Sequence, residues 1–213
     1  MKQQISAIER LKSLPPVFRG GDLTIRFQWT SKTASQYLYL WKNRGLVEGL
    51  GGHSDVFVNL LVNGNPDWDK ALLTAMPSAV LIGIEALRQA GWVTQVPYRP
   101  TVAVDASSPV FSTERYEIVQ RDQDWFKMCS AGAIHDQADS LPRLSPAWAL
   151  ADLLRESGWG DCGLHPTDIE WAEVTSRDEA EWRIASEAMG LTESELMSMS
   201  EDSRSHGQAM GFM

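Results

Sequence analysis

Residues 30–60 decide the fold, and they read TSKTASQYLYLWKNRGLVEGLGGHSDVFVNL. The hydroxyl residues at the start of this stretch can cap a helix, because their side-chain oxygens accept from the first free backbone N–H groups. Ala34, Leu38 and Trp41 then recur at spacings of four and three, which predicts one apolar face of an amphipathic helix. Gly45 predicts the end of that helix, since a residue without a Cβ adopts the left-handed conformation freely.

Two short apolar stretches, 46–47 and 56–58, flank a Gly-Gly pair and predict the strands of a hairpin. A polar-faced helix, a glycine stop and a hairpin follow one another in a winged helix-turn-helix. In that motif the second helix enters the DNA major groove and the hairpin lies along the DNA backbone. Helix–hairpin units also occur in α/β domains that never contact DNA, so both interpretations stay open.

If this helix reads DNA, the side chains on its polar face are the candidates for contact. Lys32 and Lys42 suit phosphate oxygens, and Gln36 suits base reading because its amide can pair bidentately with adenine. Together with one residue between the hairpin strands, the predicted DNA-binding residues are Lys32, Ser35, Gln36, Tyr39, Lys42, Asn43 and His53.

The composition indicates a soluble globular protein. The chain has 213 residues, 43% of them apolar and nine of them Trp, which is enough for one large or two small cores. The sequence holds no run of about 18 apolar residues, and its first residues lack the apolar core of a signal peptide. We therefore expect a cytoplasmic protein with no membrane partner, in which Cys129 and Cys162 form no disulfide.

The charge is distributed unevenly along the chain. The net charge is -9, but residues 1–65 hold eight Lys or Arg against four Asp or Glu, and the rest of the chain holds 11 against 24. Phosphate binding responds to the local field, because salt at 0.1 M screens charges beyond roughly 10 Å. A basic head on an acidic body is typical of a DNA-binding module with a second domain attached.

The N-terminal elements complete the predicted winged helix domain of residues 1–65. Residues 2–14 carry apolar residues at helical spacing and predict a short helix that stops at Pro15-Pro16. Residues 23–28 are compatible with a helix or a strand, and the winged-helix interpretation favours the helix. The turn residues at 63–66 form the clearest break in the chain and set the domain boundary.

Residues 66–190 predict a mixed α/β domain, so that the whole chain is of the α/β (α+β) class. Its first two predicted helices are 67–75 and 78–91, and its predicted strands are 92–96, 101–104, 116–121 and 125–129, the last extending towards Ala133. A further helix over 144–156 has Ser145 at its cap, Pro146 at its first position and Gly158 after its end. An acidic helix over 170–189 follows, and residues 191–213 are expected to form a mobile tail.

The sequence contains no recognisable catalytic, metal or cofactor signature, which predicts a protein that is not an enzyme and needs no cofactor. One alternative is a metal-dependent nuclease, since Asp105 and Glu117 lie on successive predicted strands. Such a site usually has a Lys two residues after the second carboxylate. Here that position is Val119, which favours a degenerate version of the sheet over an active nuclease.

Five segments resemble the AbiEi-type antitoxin regulators of type IV toxin–antitoxin systems. They are YLWKNRGLV at 39–47, GHSDVFVN at 52–59, AVLIG at 79–83, AGWVTQVP at 90–97 and LSPAWALAD at 144–152. The resemblance implies an N-terminal winged helix joined to a C-terminal antitoxin domain. It also implies a bacterial protein that represses its own operon and has a nucleotidyltransferase toxin as its partner.

Two classes of function remain at this stage. The first is a transcriptional regulator and antitoxin that binds double-stranded DNA at its own operator, with a homodimer expected if the operator is an inverted repeat. The second is a non-catalytic α/β protein that binds a partner or a ligand and does not contact DNA. The basic balance of residues 1–65 favours the first class.

Overall fold

The computed structural model describes residues 6–109, 112–136 and 140–192. Within these ranges the chain is a mixed α/β protein with eight α-helices and two sheets. Its residues divide into two compact units, the first formed mainly by the N-terminal part of the chain up to Ala79 and the second mainly by the C-terminal part from Val80 onwards. None of the helices in these ranges combines the length and the apolar character needed to span a membrane.

The first unit alternates helices with the strands of a small antiparallel sheet. Its elements are α1 (Ala7–Lys12), β1 (Val17–Arg19), α2 (Gly20–Phe27), α3 (Ser31–Asn43), β2 (Val47–Gly49), β3 (Val56–Asn59) and α4 (Trp68–Ala75). The sheet order is β1-β3-β2, and β3 pairs antiparallel with both neighbours. The helix at 31–43 and the hairpin are as predicted, and so is the choice of helix over strand for α2. The three-residue strand β1 was not predicted.

Side-chain caps fix the helix starts of this unit. The Ser6 hydroxyl accepts from Glu9 N, the Thr30 hydroxyl accepts from Thr33 N and the Asp67 carboxylate accepts from Lys70 N. Each cap satisfies a backbone N–H group that has no partner inside its helix. Of these three caps, only that of α3 was predicted from its hydroxyl residues.

A compact apolar core joins α1, α2, α3 and the sheet. Its buried members are Leu11, Leu14, Phe18, Leu23, Ala34, Trp41 and Val47. The buried amide of Asn59 donates 2.8 Å to the carbonyl of Leu11 and so ties β3 to the end of α1. A buried side-chain donor of this kind is costly unless it is paired, which makes the strand position specific.

The first unit extends beyond the predicted boundary at residue 65. Helix α4 packs on β1 and β3, and the Arg19 guanidinium donates to the Thr74 carbonyl near the end of α4. The same unit includes the described parts of two later segments, 108–114 and 139–141. The turn at 63–66 therefore connects two elements of one unit, because α4 covers apolar sheet surface that the preceding residues leave open.

The second unit contains a five-stranded sheet and four α-helices among the described residues. Its elements are β4 (Val80–Ile82), α5 (Gly83–Gln89), β5 (Thr101–Asp105), β6 (Glu117–Arg121), α6 (Gln123–Cys129), β7 (Ala133–Ile134), β8 (Arg143–Leu144), α7 (Pro146–Ser157) and α8 (Ser176–Met189). The sheet order is β6-β5-β4-β8-β7. The β5–β6 and β4–β8 pairs are parallel, and the other two pairs are antiparallel.

Helix α7 is the centre of this unit. Eight of its twelve residues are buried, and it packs against α5 and α8. Gly132 lies so close to α7 that an added Cβ would stand 2.2 Å from the Trp148 ring. This contact requires glycine at position 132, because no flexible group is available to move aside.

Three predicted elements of the second unit are wrong. The helix expected from residue 78 is instead the strand β4 followed by α5, because Gly83, the first residue of α5, has a φ of +69. Residues 92–96 form no strand, since Trp92 N bonds back to Leu87 O after the turn at Gly91. Residues 123–129 form the helix α6 and not a strand, because the Asp122 carboxylate caps it by accepting from Trp125 N at 2.8 Å.

The C-terminal helix is shorter than predicted. It begins at Ser176, after a capping box in which Thr175 and Asp178 bond each other's backbone N–H groups. The predicted mobile tail falls almost entirely on residues 193–213, which lie outside the described residues.

Candidate nucleic-acid interface

Helix α3 has a buried side and a long exposed side. Ala34 and Trp41 are buried, and Tyr37 and Leu38 are half-buried against the same core. The seven residues predicted to contact DNA are all exposed: Lys32, Ser35, Gln36, Tyr39, Lys42 and Asn43 on α3, and His53 between β2 and β3. Tyr39 is 66% exposed, although an aromatic ring of this size usually gains from burial. The exposed side of α3 is therefore mostly polar, with Tyr39 and the 46% exposed Leu40 among its polar residues.

A tight turn and an aromatic cluster orient α3. Only residues 28–30 separate α2 from α3, and the first of them, Gln28, has a left-handed backbone with φ 55 and ψ 36. The Trp29 ring stacks on Tyr37 with centroids 4.3 Å apart, and it lies 6.2 Å from the buried Trp41. The Arg10 guanidinium lies 5.2 Å from the Trp29 ring. These contacts fix the axis of α3 relative to α1 and α2, because aromatic and cation–π pairs are directional.

The hairpin lies next to the C-terminal half of α3. Strand β2 contacts α3, and a Cβ built on Gly49 would stand 4.0 Å from the Lys42 ammonium nitrogen. His53 and Asp55 are exposed in the loop between β2 and β3. The structure thus places a lysine of the helix beside the hairpin, within one continuous part of the first unit.

The acidic and basic side chains of the first unit differ in their partners. Glu9 and Asp22 accept hydrogen bonds from backbone N–H groups at helix starts, and Asp55 pairs with Arg19 at 2.8 Å. Among the described residues, no ion pair involves the exposed basic residues Arg26, Lys32, Lys42 and Arg44. Their charged side chains are exposed on α3, next to it, and in the last turn of α2.

Arg26 and Arg44 are exposed basic residues that were not included in the predicted contact set. Arg44 follows α3 directly, at its C-cap position, and Arg26 is in the last turn of α2. A signal was present in the sequence, since both residues contribute to the basic balance of residues 1–65. Helical periodicity did not predict them as contacts, because neither residue lies on the polar face of α3.

The two carboxylates of the nuclease alternative do not meet. In the parallel β5–β6 pair Glu117 is opposite Thr101, whereas Asp105 is opposite Arg121, so the two carboxylates lie at opposite ends of the pair. Asp105 accepts a 2.7 Å hydrogen bond from Ser107 N, and the bonds from Ser107 hold its pKa below the ordinary value. No group of three metal-ligating side chains occurs among the described residues.

The second unit has a cleft of about 590 Å³ between its sheet and α7, lined by both apolar and charged side chains. Arg121 lies in the cleft wall, where its guanidinium is 3.0 Å from Glu156 and 3.5 Å from Asp152. The Trp125 indole donates 2.7 Å to the other oxygen of Asp152. Burial raises the pKa of Asp152 above its ordinary value, against the opposing effects of the Trp125 hydrogen bond and the Arg121 charge. The cleft has the size of a small-molecule site and mixed charge.

Neither cysteine is in a disulfide. Cys129 is buried beside α7, and burial raises the pKa of its thiol to about 12. Because the thiolate is the reactive form of cysteine, this side chain behaves as an apolar core residue at neutral pH.

Comparisons with known proteins extend only to the fold. No family model and no curated protein matches the sequence. Among solved structures, the chain is similar to the crystal structure of the RV2827C protein from Mycobacterium tuberculosis, with a TM-score of 0.54 and 16% sequence identity. The match covers 86% of this chain and 74% of that chain. It supports the mixed α/β architecture of the chain, and at this identity it carries nothing about function.

Proposed function

We propose that the protein is a DNA-binding transcriptional regulator whose first unit is a winged helix-turn-helix. Three features support the assignment: the three-residue turn between α2 and α3, the polar exposed side of α3, and the hairpin after it. Two helices joined by a turn of three or four residues are the core of the helix-turn-helix motif. In this assignment α3 is the recognition helix and the β2–β3 hairpin is the wing.

The observation that carries the proposal is the contrast between the two sides of α3. One side is fixed to the core by Trp41, and the other presents lysines, amides, hydroxyls, a tyrosine and the apolar Leu40 to solvent. Lys32 and Lys42 neutralise phosphates, Gln36 and Asn43 read base edges, and Ser35 and Tyr39 bond to the backbone or to bases. His53 contacts the DNA backbone from the wing.

A salt titration of DNA binding tests the proposal. Full-length protein is mixed with labelled DNA from upstream of its own gene, and binding is measured between about 50 and 200 mM salt. Affinity should fall steeply, because each neutralised phosphate releases counterions. Lys32→Ala should weaken binding to all sequences and lower the salt slope by about 1.

The matched control is Lys127→Ala, which removes an exposed lysine from α6 of the second unit. It makes the same change in net charge, so its affinity should equal that of the wild type. Equal loss in both variants would mean that net charge and not the α3 surface determines binding. Absence of binding at the lowest salt concentration would refute the proposal.

The resemblance to AbiEi-type antitoxins gives the proposal a more specific form. The DNA is then the operator of the protein's own operon, bound by a homodimer if the site is an inverted repeat, and a nucleotidyltransferase toxin is the partner. A reporter fused to the upstream region should be repressed by the wild-type protein and derepressed by Gln36→Ala. If Gln36→Ala still represses the reporter, repression of the operon does not depend on the exposed side of α3.

The cleft of the second unit supports a second candidate, a ligand-binding protein that does not contact DNA. About 590 Å³ accommodates a small molecule, and the Arg121–Asp152–Glu156 network supplies both signs of charge. Thermal unfolding in the presence of a panel of charged metabolites tests this candidate, because a ligand that binds only the folded state raises the midpoint. The candidate is favoured if a ligand stabilises the protein and the DNA titration is negative.

A further inference from the structure

The wing loop is held by a segment that comes from a distant part of the chain. Ser112 and Thr113 lie between β5 and β6 in sequence, yet they belong to the first unit. The Thr113 hydroxyl donates 2.8 Å to the carbonyl of Leu50, the residue directly after β2, and Thr113 is only 7% exposed. A buried hydroxyl in contact with a loop carbonyl is a specific contact, since leaving either group unpaired costs free energy.

The two glycines of the wing loop are explained by this segment. A Cβ built on Gly51 or on Gly52 would stand 2.8 Å from the Ser112 carbonyl oxygen. Both glycines also have positive φ values, +136 and +45. The hairpin turn alone already favours the Gly-Gly pair. The structure adds a second reason, the close approach of another backbone.

The opposite side of the wing loop is held as well. The Asp55 carbonyl accepts a 2.7 Å bond from Gly20 N at the start of α2, and the Asp55 carboxylate pairs with Arg19. Inside the loop, Ser54 N donates 3.0 Å to the Gly51 carbonyl. The loop is therefore fixed on both sides, whereas the His53 side chain between these contacts is exposed.

We infer that Thr113 is a positioning residue, which with the Ser112 backbone holds the wing loop in the conformation that meets the DNA backbone. The inference rests on the proposed function and assigns to residues 112 and 113 a role in it. A loop that is already ordered loses less conformational freedom on binding, so its phosphate contacts contribute more to affinity. Because the wing contacts the backbone, Thr113 affects the affinity for all sequences equally and leaves base preference unchanged.

Two variants of the full-length chain separate the hydroxyl from the shape of the side chain. Thr113→Val keeps the branched shape and removes the donor, and Thr113→Ser keeps the donor. Amide hydrogen exchange at Leu50 and Ser54 in the free protein reports on the loop without DNA. Thr113→Val should speed this exchange about 3- to 10-fold, the loss expected for one hydrogen bond, and Thr113→Ser should restore it.

Affinity for the upstream DNA is the second readout. Thr113→Val should bind about 3- to 10-fold more weakly to the operator and to mismatched sites alike, with Thr113→Ser close to the wild type. Wild-type exchange rates in Thr113→Val would overturn the inference, and so would a changed base preference. If the wild-type protein binds no DNA, the proposed function fails by itself, and the exchange rates still decide whether Thr113 holds the loop.

Discussion

Helices α3 and α7 have nearly the same length and very different surroundings. α3 has 13 residues and buries two of them, Ala34 and Trp41, whereas α7 has 12 residues and buries eight. Each follows a hydroxyl residue in extended conformation, Thr30 or Ser145. The difference comes from the neighbours, since α5, α8 and β8 surround α7, and α3 packs mainly on α2 and β2.

The two helices therefore meet different structural demands. In a helix that is covered on most sides, most side chains are constrained by close packing against neighbouring elements. A helix held by one apolar stripe leaves its other residues free of structural demands. The polar residues of α3 are in that position, so their identity can be set by a binding partner.

The largest expected effect concerns the core of α7. Trp148→Ala should lower the free energy of unfolding by about 3–5 kcal/mol, because it removes a buried ring that fills the space beside Gly132. Tyr39→Ala on α3 is the matched aromatic truncation at an exposed site and should change stability by less than about 0.5 kcal/mol. Urea unfolding followed by circular dichroism measures both. Similar losses would contradict the division between the structural helix α7 and the proposed interface helix α3.

The second effect concerns recognition. Gln36→Ala should cost about 1–3 kcal/mol of binding free energy at one base pair of the operator and relax the preference there. The matched control is Ser157→Ala, an exposed position at the end of α7, which should bind every operator variant as the wild type does. Binding to a set of single-base operator variants measures the effect. A binding profile for Gln36→Ala that equals the wild-type profile would remove α3 from the proposed interface.

The predicted elements divide according to the range of the interactions that form them. α3, the hairpin and α7 were predicted because caps, glycine stops and periodicity are local signals. β4 was mistaken for part of a helix, since three apolar residues fit either structure and its sheet neighbours are distant in sequence. α6 was mistaken for a strand because its aromatic residues Trp125 and Phe126 are common in strands, and the helix cap at Asp122 was not recognised. Short elements depend on tertiary partners that no local pattern reveals.

The same distinction applies to the candidate sites. The exposed side of α3 follows from helical spacing, so its residues could be named in advance. The contact of Thr113 with Leu50 joins residues that are 63 positions apart. The Arg121–Asp152 pair likewise joins β6 to α7. No local pattern predicts such pairs, because they exist only after the sheet and the helices have assembled.

A third effect concerns Asp152, which is buried on α7, whereas the charged residues of α3 are exposed. Because burial raises the pKa of Asp152, the folded state binds its proton more tightly than the unfolded state does. Stability from this group is therefore present below the unfolded pKa, about 3.9, and declines as the pH rises through the raised folded pKa. Asp152→Asn should remove that decline while its amide oxygen keeps the Trp125 hydrogen bond.

The measurement is the free energy of unfolding of wild type and Asp152→Asn from about pH 4 to 8. The free energy of unfolding of the wild type, relative to that of the variant, should fall as the pH rises. An advantage that grows with pH would mean that the Arg121 ion pair outweighs burial, and the pKa of Asp152 would then be lowered.

The smallest effect concerns the turn that sets the direction of α3. Gln28 has a left-handed backbone, which for a residue with a Cβ costs about 1–2 kcal/mol, whereas glycine loses about 0.5–1 kcal/mol of conformational freedom in its place. Gln28→Gly should therefore stabilise the protein by about 1 kcal/mol or less.

Gly45→Ala is the inverse control at the other end of α3, where φ is +64 and an added Cβ meets no atom within 4 Å. It should destabilise the protein by about 1 kcal/mol through backbone strain alone. Gln28→Gly could instead destabilise the protein. The Gln28 side chain would then stabilise the turn by more than its left-handed backbone costs. In that case the turn, as well as the aromatic cluster, would orient α3.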